Sequence, residues 1–453
     1  MKEVQSVNPY NNQVLESYKL HSDQELNALI DKANAQFIQW RNTQFSERSA
    51  PMKRAADILR KDTRLYATTI SEEMGKPITQ AISEVEKCAW VCDYYAENAV
   101  SQLSDETIET DADTSYVSYE PLGVILAVMP WNYPFWQVFR FAAPTLMAGN
   151  VAMLKHASNV FGSALNIEEV FRKAGFPEHC FTTLLAGSKQ VENIIENSLV
   201  KAVTLTGSGP AGSAVAQTAG KNIKKSVLEL GGNNALIVME DCDIEKTLET
   251  CITARFQNTG QSCIAGKRLL VQESISEEFI QKLVERVTNL KSGDPSDPET
   301  YIGTLAREDL AKELESQVKD SLAAGARLET GGRREGAWFA PTVVSGVTPD
   351  MVMFKEETFG PALSVTTFKT VEEAIELSNE SKFGLGVSIF TSDIEIAKKM
   401  IPQLDEGAVF INELVKSDPR LPFGGIKESG YGRELSSHGI KEFVNAKTVF
   451  INE

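Results

Sequence analysis

A chain of 453 residues exceeds one ordinary core of roughly 100–200 residues, so two or three domains are predicted. Its 42% hydrophobic and 24% charged content fits a water-soluble globular protein, and no apolar run approaches the roughly 20 residues that cross a bilayer. A net charge of -17 repels phosphate backbones and anionic lipid, which argues against nucleic-acid and membrane partners; with no apolar N-terminal leader, the expected location is cytoplasmic.

Residues 23–38 and 48–101 place apolar side chains at helical spacing with charges between them, which predicts amphipathic helices. Residues 107–123 differ. Polar and apolar residues alternate beyond an Asp-rich turn, predicting a projecting hairpin. From Val124 short β-rich runs (VILAVMP, NVAMLKH, CFTTLLAG, AVTLTGS) alternate with helical segments 159–174 and 188–197, the pattern of a parallel, doubly wound sheet. A second alternating series begins near Val227 and runs to GAVFINE, predicting a second α/β domain. Turn formers crowd residues 291–300 into a surface connection.

The six cysteines (88, 92, 180, 242, 251 and 263) form no CxxC pair, and the four histidines (21, 156, 179 and 438) are scattered. A metal site or a histidine-dependent triad is therefore poorly supplied, and none is expected. A cysteine that does chemistry here would take a carboxylate as its base.

Gly207-Ser208-Gly209-Pro210-Ala211-Gly212 fits G-x-G-x-x-G directly after an apolar run, with Glu229 following where a dinucleotide fold places its ribose-binding acid. A simple strand-to-helix turn explains the glycines equally well. Glu229 itself sits in Leu228-Glu229-Leu230-Gly231-Gly232, where flanking leucines desolvate the carboxyl and raise its pKa toward that of a general base. A satisfied buried glutamate is the plainer reading. Cys263 ends the polar loop Gln257-Asn258-Thr259-Gly260-Gln261-Ser262, an unusual setting for a core cysteine, although a lone cysteine is more often structural. In Pro130-Trp131-Asn132-Tyr133-Pro134 two prolines stiffen a loop whose Asn132 amide can face an oxyanion or cap a helix. Glu356-Glu357-Thr358-Phe359-Gly360-Pro361 again sets acids and an aromatic beside a Gly-Pro turn.

Together these blocks resemble the aldehyde dehydrogenase family, in its order and spacing, from Asn8-Pro9 to Pro422-Phe423-Gly424-Gly425-Ile426-Lys427-Glu428-Ser429-Gly430. The resemblance implies that Cys263 is the nucleophile and Glu229 the general base, and that the Asn132 side chain and the Cys263 amide form an oxyanion hole. It implies a nicotinamide cofactor, NAD or NADP, held by Trp131, Lys155, Ser158, Gly207, Ser208, Gly212, Leu230, Glu357 and Phe359. Glu229 is then not the ribose acid of the generic fingerprint. The implied reaction is oxidation of an aldehyde to a carboxylic acid through a Cys263 thiohemiacetal and thioester.

Within the family the chain is most similar to succinate-semialdehyde dehydrogenases. Arg140 matches the arginine that holds the substrate's distal carboxylate, and a fixed guanidinium suits that task. A second family arginine is replaced by Gln257; Arg255 or Arg420 is a possible substitute, and Ser417 adds a hydroxyl, so Gln257, Arg420 and Ser417 complete the expected substrate set. Another semialdehyde or a small aliphatic aldehyde is the alternative substrate. Where NAD-specific enzymes often carry glutamate stands neutral Ser158, beside Lys155 and His156, so tolerance of both cofactors is expected. The implied fold is a Rossmann-like cofactor domain (1–106 and 124–228), an α/β catalytic domain (229–425) and a small β oligomerisation element (107–123 and 426–453), in a homodimer or homotetramer. A catalytically silent binding homologue and a thiol hydrolase are the rival readings; retention of Cys263, Glu229 and Asn132 opposes the first and the cofactor residues the second.

Overall fold

The computed structural model describes residues 3–453. Its first sheet is built from five parallel strands in the spatial order Lys225–Glu229, Val200–Thr206, Val124–Met129, Val151–His156 and Phe181–Thr183. Helices cover both faces, so the strands are buried on both sides and read as apolar runs rather than alternating ones. The chain starts at Val124–Met129, moves outward twice, then returns to the other side at Val200–Thr206. A sheet of this topology opens a crevice at that reversal, beyond the strands' carboxyl ends. Pro130-Trp131-Asn132 and Gly207-Ser208 leave from the two strand ends that border it.

The second sheet has seven strands in the order Arg327–Thr330, Thr342–Ser345, Ala362–Phe368, Gly266–Gln272, Asn234–Val238, Val387–Phe390 and Val409–Ile411. Only the first pair is antiparallel. Alternate residues feed two separate cores: Ala235, Ile237 and Leu270 on one face, Leu236, Val238, Leu269 and Val271 on the other.

Three assignments differ from the sequence reading. Lys225–Glu229, read as the start of the second series, closes the first sheet instead, because it pairs in parallel with Val200–Thr206. Helical periodicity over 48–101 is divided among Phe45–Lys61, Thr63–Met74 and Ile78–Gln102: Asp62 leaves helical geometry at the first break, and at the second Gly75 adopts a left-handed φ of 75° and Pro77 follows. Residues 430–443, assigned to the oligomerisation element, join the first domain: Gly430–Tyr431 pairs antiparallel with Lys225–Glu229, and Leu435, Ile440 and Phe443 enter its core, while Ile426–Lys427 pairs with Phe383–Gly384.

The expected hairpin is present, with Glu106–Thr107 against Thr114–Pro121. The C-terminal strand Val444–Ile451 pairs with Thr114–Pro121 along its whole length, so it completes a three-stranded sheet within its own chain. Among the described residues no helix is long and apolar enough to cross a membrane.

Candidate active site

A cavity of about 670 Å³ opens at the first sheet's reversal point and runs to the face of the second domain. Its walls bring together Trp131, Asn132, Gly207, Ser208, Leu230, Cys263, Glu357 and Phe359. Half of the residues singled out from sequence thus share one space, from separate segments of the chain. The volume lies in the usual range of roughly 300–1,000 Å³ for small-molecule sites.

Cys263 is delivered by a strained loop. Asn258, Thr259 and Gly260 all have left-handed φ (56°, 54° and 72°), which is costly for a β-branched residue such as Thr259. Side-chain bonds hold the loop in place. Asn258 Nδ2 donates to the carbonyls of Asn132 (2.8 Å) and Gln261 (3.0 Å), and Gln261 Oε1 accepts from the Ala306 amide at 2.8 Å. Gly260 is required here, since a Cβ would lie 2.3 Å from the Gly360 carbonyl oxygen. Burial pushes the Cys263 thiol up to about 11, with Lys267 and Arg140 pulling it down and Glu357 and Glu229 adding to the rise.

Asn132 is fixed by its neighbours. Its Nδ2 donates to the Gln261 carbonyl at 3.1 Å, and its Oδ1 accepts from Gln137 Nε2 at 3.1 Å. The amide therefore presents its N–H edge on the nucleophile's side of the loop. His156 anchors the same segment: its Nε2 meets the Pro134 carbonyl at 2.9 Å, and its Nδ1 lies 3.2 Å from the Met129 carbonyl and 3.0 Å from the Ala157 amide. Burial lowers the His156 pKa to about 4.

Glu229 ends its strand beside Thr206 but does not line the cavity. Its carboxyl packs where a Cβ on Gly424 would come within 2.7 Å of Oε1, and that oxygen has no hydrogen-bond partner among the described residues. Two carboxyls, Glu229 and Glu434, share the neighbourhood of one buried guanidinium, Arg140, and Glu434 takes the ion pair. Burial and then the nearby Glu434 hold Glu229 well above the usual carboxylate range.

Opposite Cys263, Glu357 accepts from Lys267 Nζ at 2.9 Å and from the Gly232 amide at 3.1 Å. A Cβ at Gly231 would lie 2.5 Å from Glu357 Oε2, so a side chain there would displace this carboxylate. Trp131 and Phe359 meet edge to face at 5.8 Å across the cavity. Gly212 serves close packing, because a Cβ there would lie 2.6 Å from the Leu230 side chain.

The aldehyde dehydrogenase family profile matches residues 1–449. The chain belongs to the aldehyde dehydrogenase family. It is 49% identical to a probable NADP(+) succinate-semialdehyde dehydrogenase of Synechocystis sp., over 99% of both chains. It is 45% identical, again over 99% of both, to succinate-semialdehyde dehydrogenase [NADP(+)] 1 of Mycobacterium bovis. Among solved structures it resembles the succinic semialdehyde dehydrogenase of Streptococcus pyogenes in complex with NADP+, with a TM-score of 0.97, 39% identity and coverage of 99% and 100%.

Other expected residues of this aldehyde dehydrogenase chain lie outside the cavity. Lys155 lies at the end of the strand Val151–His156, and Ser158 is exposed on the turn that follows. His156, expected beside them, turns inward. Arg140 is not an open guanidinium: it pairs with Glu434, reaches Thr206 Oγ1 at 3.4 Å and lies 4.6 Å over the Phe423 ring. Arg420 is at the surface, bound to Asp418 at 2.7 Å. Arg255 is fully buried and donates to the Thr358 carbonyl at 2.8 Å, so it supports the Glu357–Phe359 loop and does not replace the missing arginine. Gln257 opens the Cys263 loop, half-buried. Ser417 is buried, accepting from Trp136 Nε1 at 3.0 Å and from Lys87 Nζ at 2.9 Å.

Sequence reasoning missed Lys267, Gln137, Gln261 and Glu434. Lys267 carried a signal, a lysine four residues after Cys263 inside an apolar strand, where an unpaired ammonium is costly. Glu434 carried none, since its partner Arg140 lies in a distant helix.

Proposed function

We propose that the chain oxidises succinate semialdehyde to succinate with NADP or NAD. The observation that carries this reading is the meeting of Cys263 and Asn132 with Gly207-Ser208 and Glu357-Phe359 in one cavity at the reversal of a dinucleotide-type sheet. The names of the full-length relatives support the substrate and favour NADP. The cradle fits a dinucleotide: glycine turns let a backbone approach phosphate at the helix Gly209–Lys221, and Glu357 offers a carboxylate to ribose hydroxyls.

Bound nicotinamide supplies the hydride acceptor, and the remaining steps belong to the chain. The Cys263 thiolate adds to the aldehyde carbon, and the Asn132 amide and Cys263 N–H face the resulting oxyanion. Oxidation of that adduct leaves a Cys263 thioester. Glu229, kept neutral by burial when at rest, swings to the thioester, gives up its proton to solvent and activates the water that releases the acid. We assign Lys155 and Ser158 to the adenosine ribose, and Arg140, whose guanidinium is shared with Glu434, together with Ser417 to the distal carboxylate. The fully free thiols support a reducing, cytoplasmic compartment. The strand Val444–Ile451 leaves one edge open and exposes Phe450 and Ile451, which supports pairing with a second copy.

Initial rates of reduced-cofactor formation test the proposal, with succinic semialdehyde, glutaric semialdehyde and uncharged short aldehydes, each with NAD and NADP. Preference for succinic semialdehyde, lost in Arg140→Ala, and no activity in Cys263→Ala is the expected result. Cys263-dependent activity that favours uncharged aldehydes rejects the substrate.

A further inference from the structure

Beside Ser417 stands a half-buried lysine, Lys87, that no carboxylate of the described residues pairs with. Helix Ile78–Gln102 directs Lys87 onto the start of helix Trp136–Met147, with Nζ 4.3 Å from the Trp136 ring and 2.9 Å from Ser417 Oγ. No carboxylate forms an ion pair with Lys87 among the described residues. The acids that act on it from a distance, Asp418 and Glu84, are paired elsewhere: Glu84 with Lys76 and Asp418 with Arg420. One turn along the helix from Trp136 stands Arg140, whose charge is felt both at Lys87 and at the Cys263 thiol. Arg140 thus has Glu434 as its ion-pair partner, while Lys87 on the facing helix has none among the described residues.

Ser417 completes the arrangement. Its Oγ accepts from two donors, Lys87 Nζ and Trp136 Nε1, which leaves the hydroxyl hydrogen as its remaining bond. No described residue accepts it. A hydroxyl polarised by an ammonium and an indole N–H is a strong donor toward an anion. An ammonium with only neutral partners in a desolvated site is costly, and an incoming carboxylate removes that cost.

We propose that Lys87, acting with the Ser417 hydroxyl, is the specificity-determining counter-ion for the distal carboxylate of the semialdehyde, the charge that this chain supplies in place of the arginine replaced by Gln257. The inference rests on the substrate reading above and adds a residue to it. It also explains how a chain of net charge -17 admits an anionic substrate: an ammonium without an ion-pair partner acts at short range, where the global field is screened.

The test compares succinic semialdehyde with butanal, which has the same carbon count and no carboxylate, in wild type, Lys87→Met, Lys87→Arg and Ser417→Ala. The readout is the ratio of kcat/KM for the two substrates, with KM and kcat resolved separately. In Lys87→Met the ratio falls roughly tenfold to a hundredfold, the change residing in the semialdehyde KM, and Lys87→Arg recovers most of it. Ser417→Ala, which alters no charge, lowers the ratio by a smaller factor. A wild-type ratio retained in both Lys87→Met and Ser417→Ala overturns the role of Lys87 and leaves the substrate reading intact. A wild-type enzyme with no preference for the semialdehyde overturns the substrate reading, and the role of Lys87 with it.

Discussion

Lys267 bridges the nucleophile and the cofactor side of the cavity: its Nζ donates to the Cys263 carbonyl at 2.6 Å and to Glu357 at 2.9 Å. Its side chain is fully buried. The ammonium therefore opposes the desolvation that pushes the Cys263 thiol up to about 11, whereas the Glu357 charge partly cancels it. A group that takes over Glu357 would strengthen the hold of Lys267 on a thiolate.

Lys267→Met is accordingly expected to make Cys263 a weaker nucleophile. Arg140 is the other cation acting on the thiol, and Glu357 and Glu229 act against it. Alkylation by iodoacetamide, followed against pH, reports the thiolate directly. Its midpoint should move to higher pH, and a midpoint one pH unit higher slows alkylation on the acid side about tenfold. Lys267→Arg should restore part of the loss. An unchanged alkylation profile in a folded Lys267→Met protein would show that Lys267 only buttresses the loop.

The second prediction separates acylation from release. Glu229→Gln keeps the shape of a buried side chain and removes the base. Cofactor reduction should then appear as a burst of about one equivalent per site, followed by steady-state turnover roughly 10²–10⁴ slower than wild type. Burial and Glu434 raise the Glu229 pKa, so wild-type release should speed up as pH rises through that raised value. The variant should lose this limb. Full steady-state turnover by Glu229→Gln would remove Glu229 from the mechanism.

Much of this was legible in the chain because the chemistry is written in short segments. Apolar runs bounded by Gly and Pro disclosed the parallel strands, and the polar loop around Cys263 disclosed a thiol in the wrong place for a core residue. What escaped were pairings between distant segments. Lys225–Glu229 has the same pattern whichever sheet it joins, and only its bonding to Val200–Thr206 decides. Arg140 looks free until Glu434 is placed beside it. Left-handed Asn258 and Thr259 violate local preference and are imposed by Gln80, Asn132 and Gly303 from outside the loop.

A third prediction concerns acid stability. His156 is buried, with Nε2 at 2.9 Å from the Pro134 carbonyl, and desolvation lowers its pKa to about 4 from an ordinary 6.5. Below pH 6.5 the unfolded chain therefore binds a proton that the folded chain refuses. The stabilisation is fully present above 6.5 and drains away as pH falls toward 4, by up to about 3 kcal/mol. Urea melts across this window should show a steeper loss for wild type than for His156→Gln. Because His156 holds the Pro130–Pro134 loop, activity should fail before the fold does. Parallel loss in both proteins would assign the acid transition to other groups.

The fourth concerns cofactor choice. Ser158 lies exposed at the start of the turn Ser158–Val160, just past the strand that ends with Lys155 and His156. In a sheet of this order an acid beyond the second strand bonds the ribose hydroxyls and repels a 2′-phosphate. Here the position is neutral and, with His156 turned inward, Lys155 is the local cation. Ser158→Glu should lower kcat/KM for NADP by roughly ten- to a hundredfold through like-charge repulsion, while NAD is kept or improved by a new ribose bond. Lys155→Met should weaken both cofactors and cost NADP more, since the ammonium would meet a phosphate in one and a hydroxyl in the other. If Ser158→Glu leaves the NADP-to-NAD ratio where it was, the selector is another segment. A changed ratio with an unchanged semialdehyde KM would place cofactor choice and substrate choice on opposite sides of Cys263, carried by residues that share no contact.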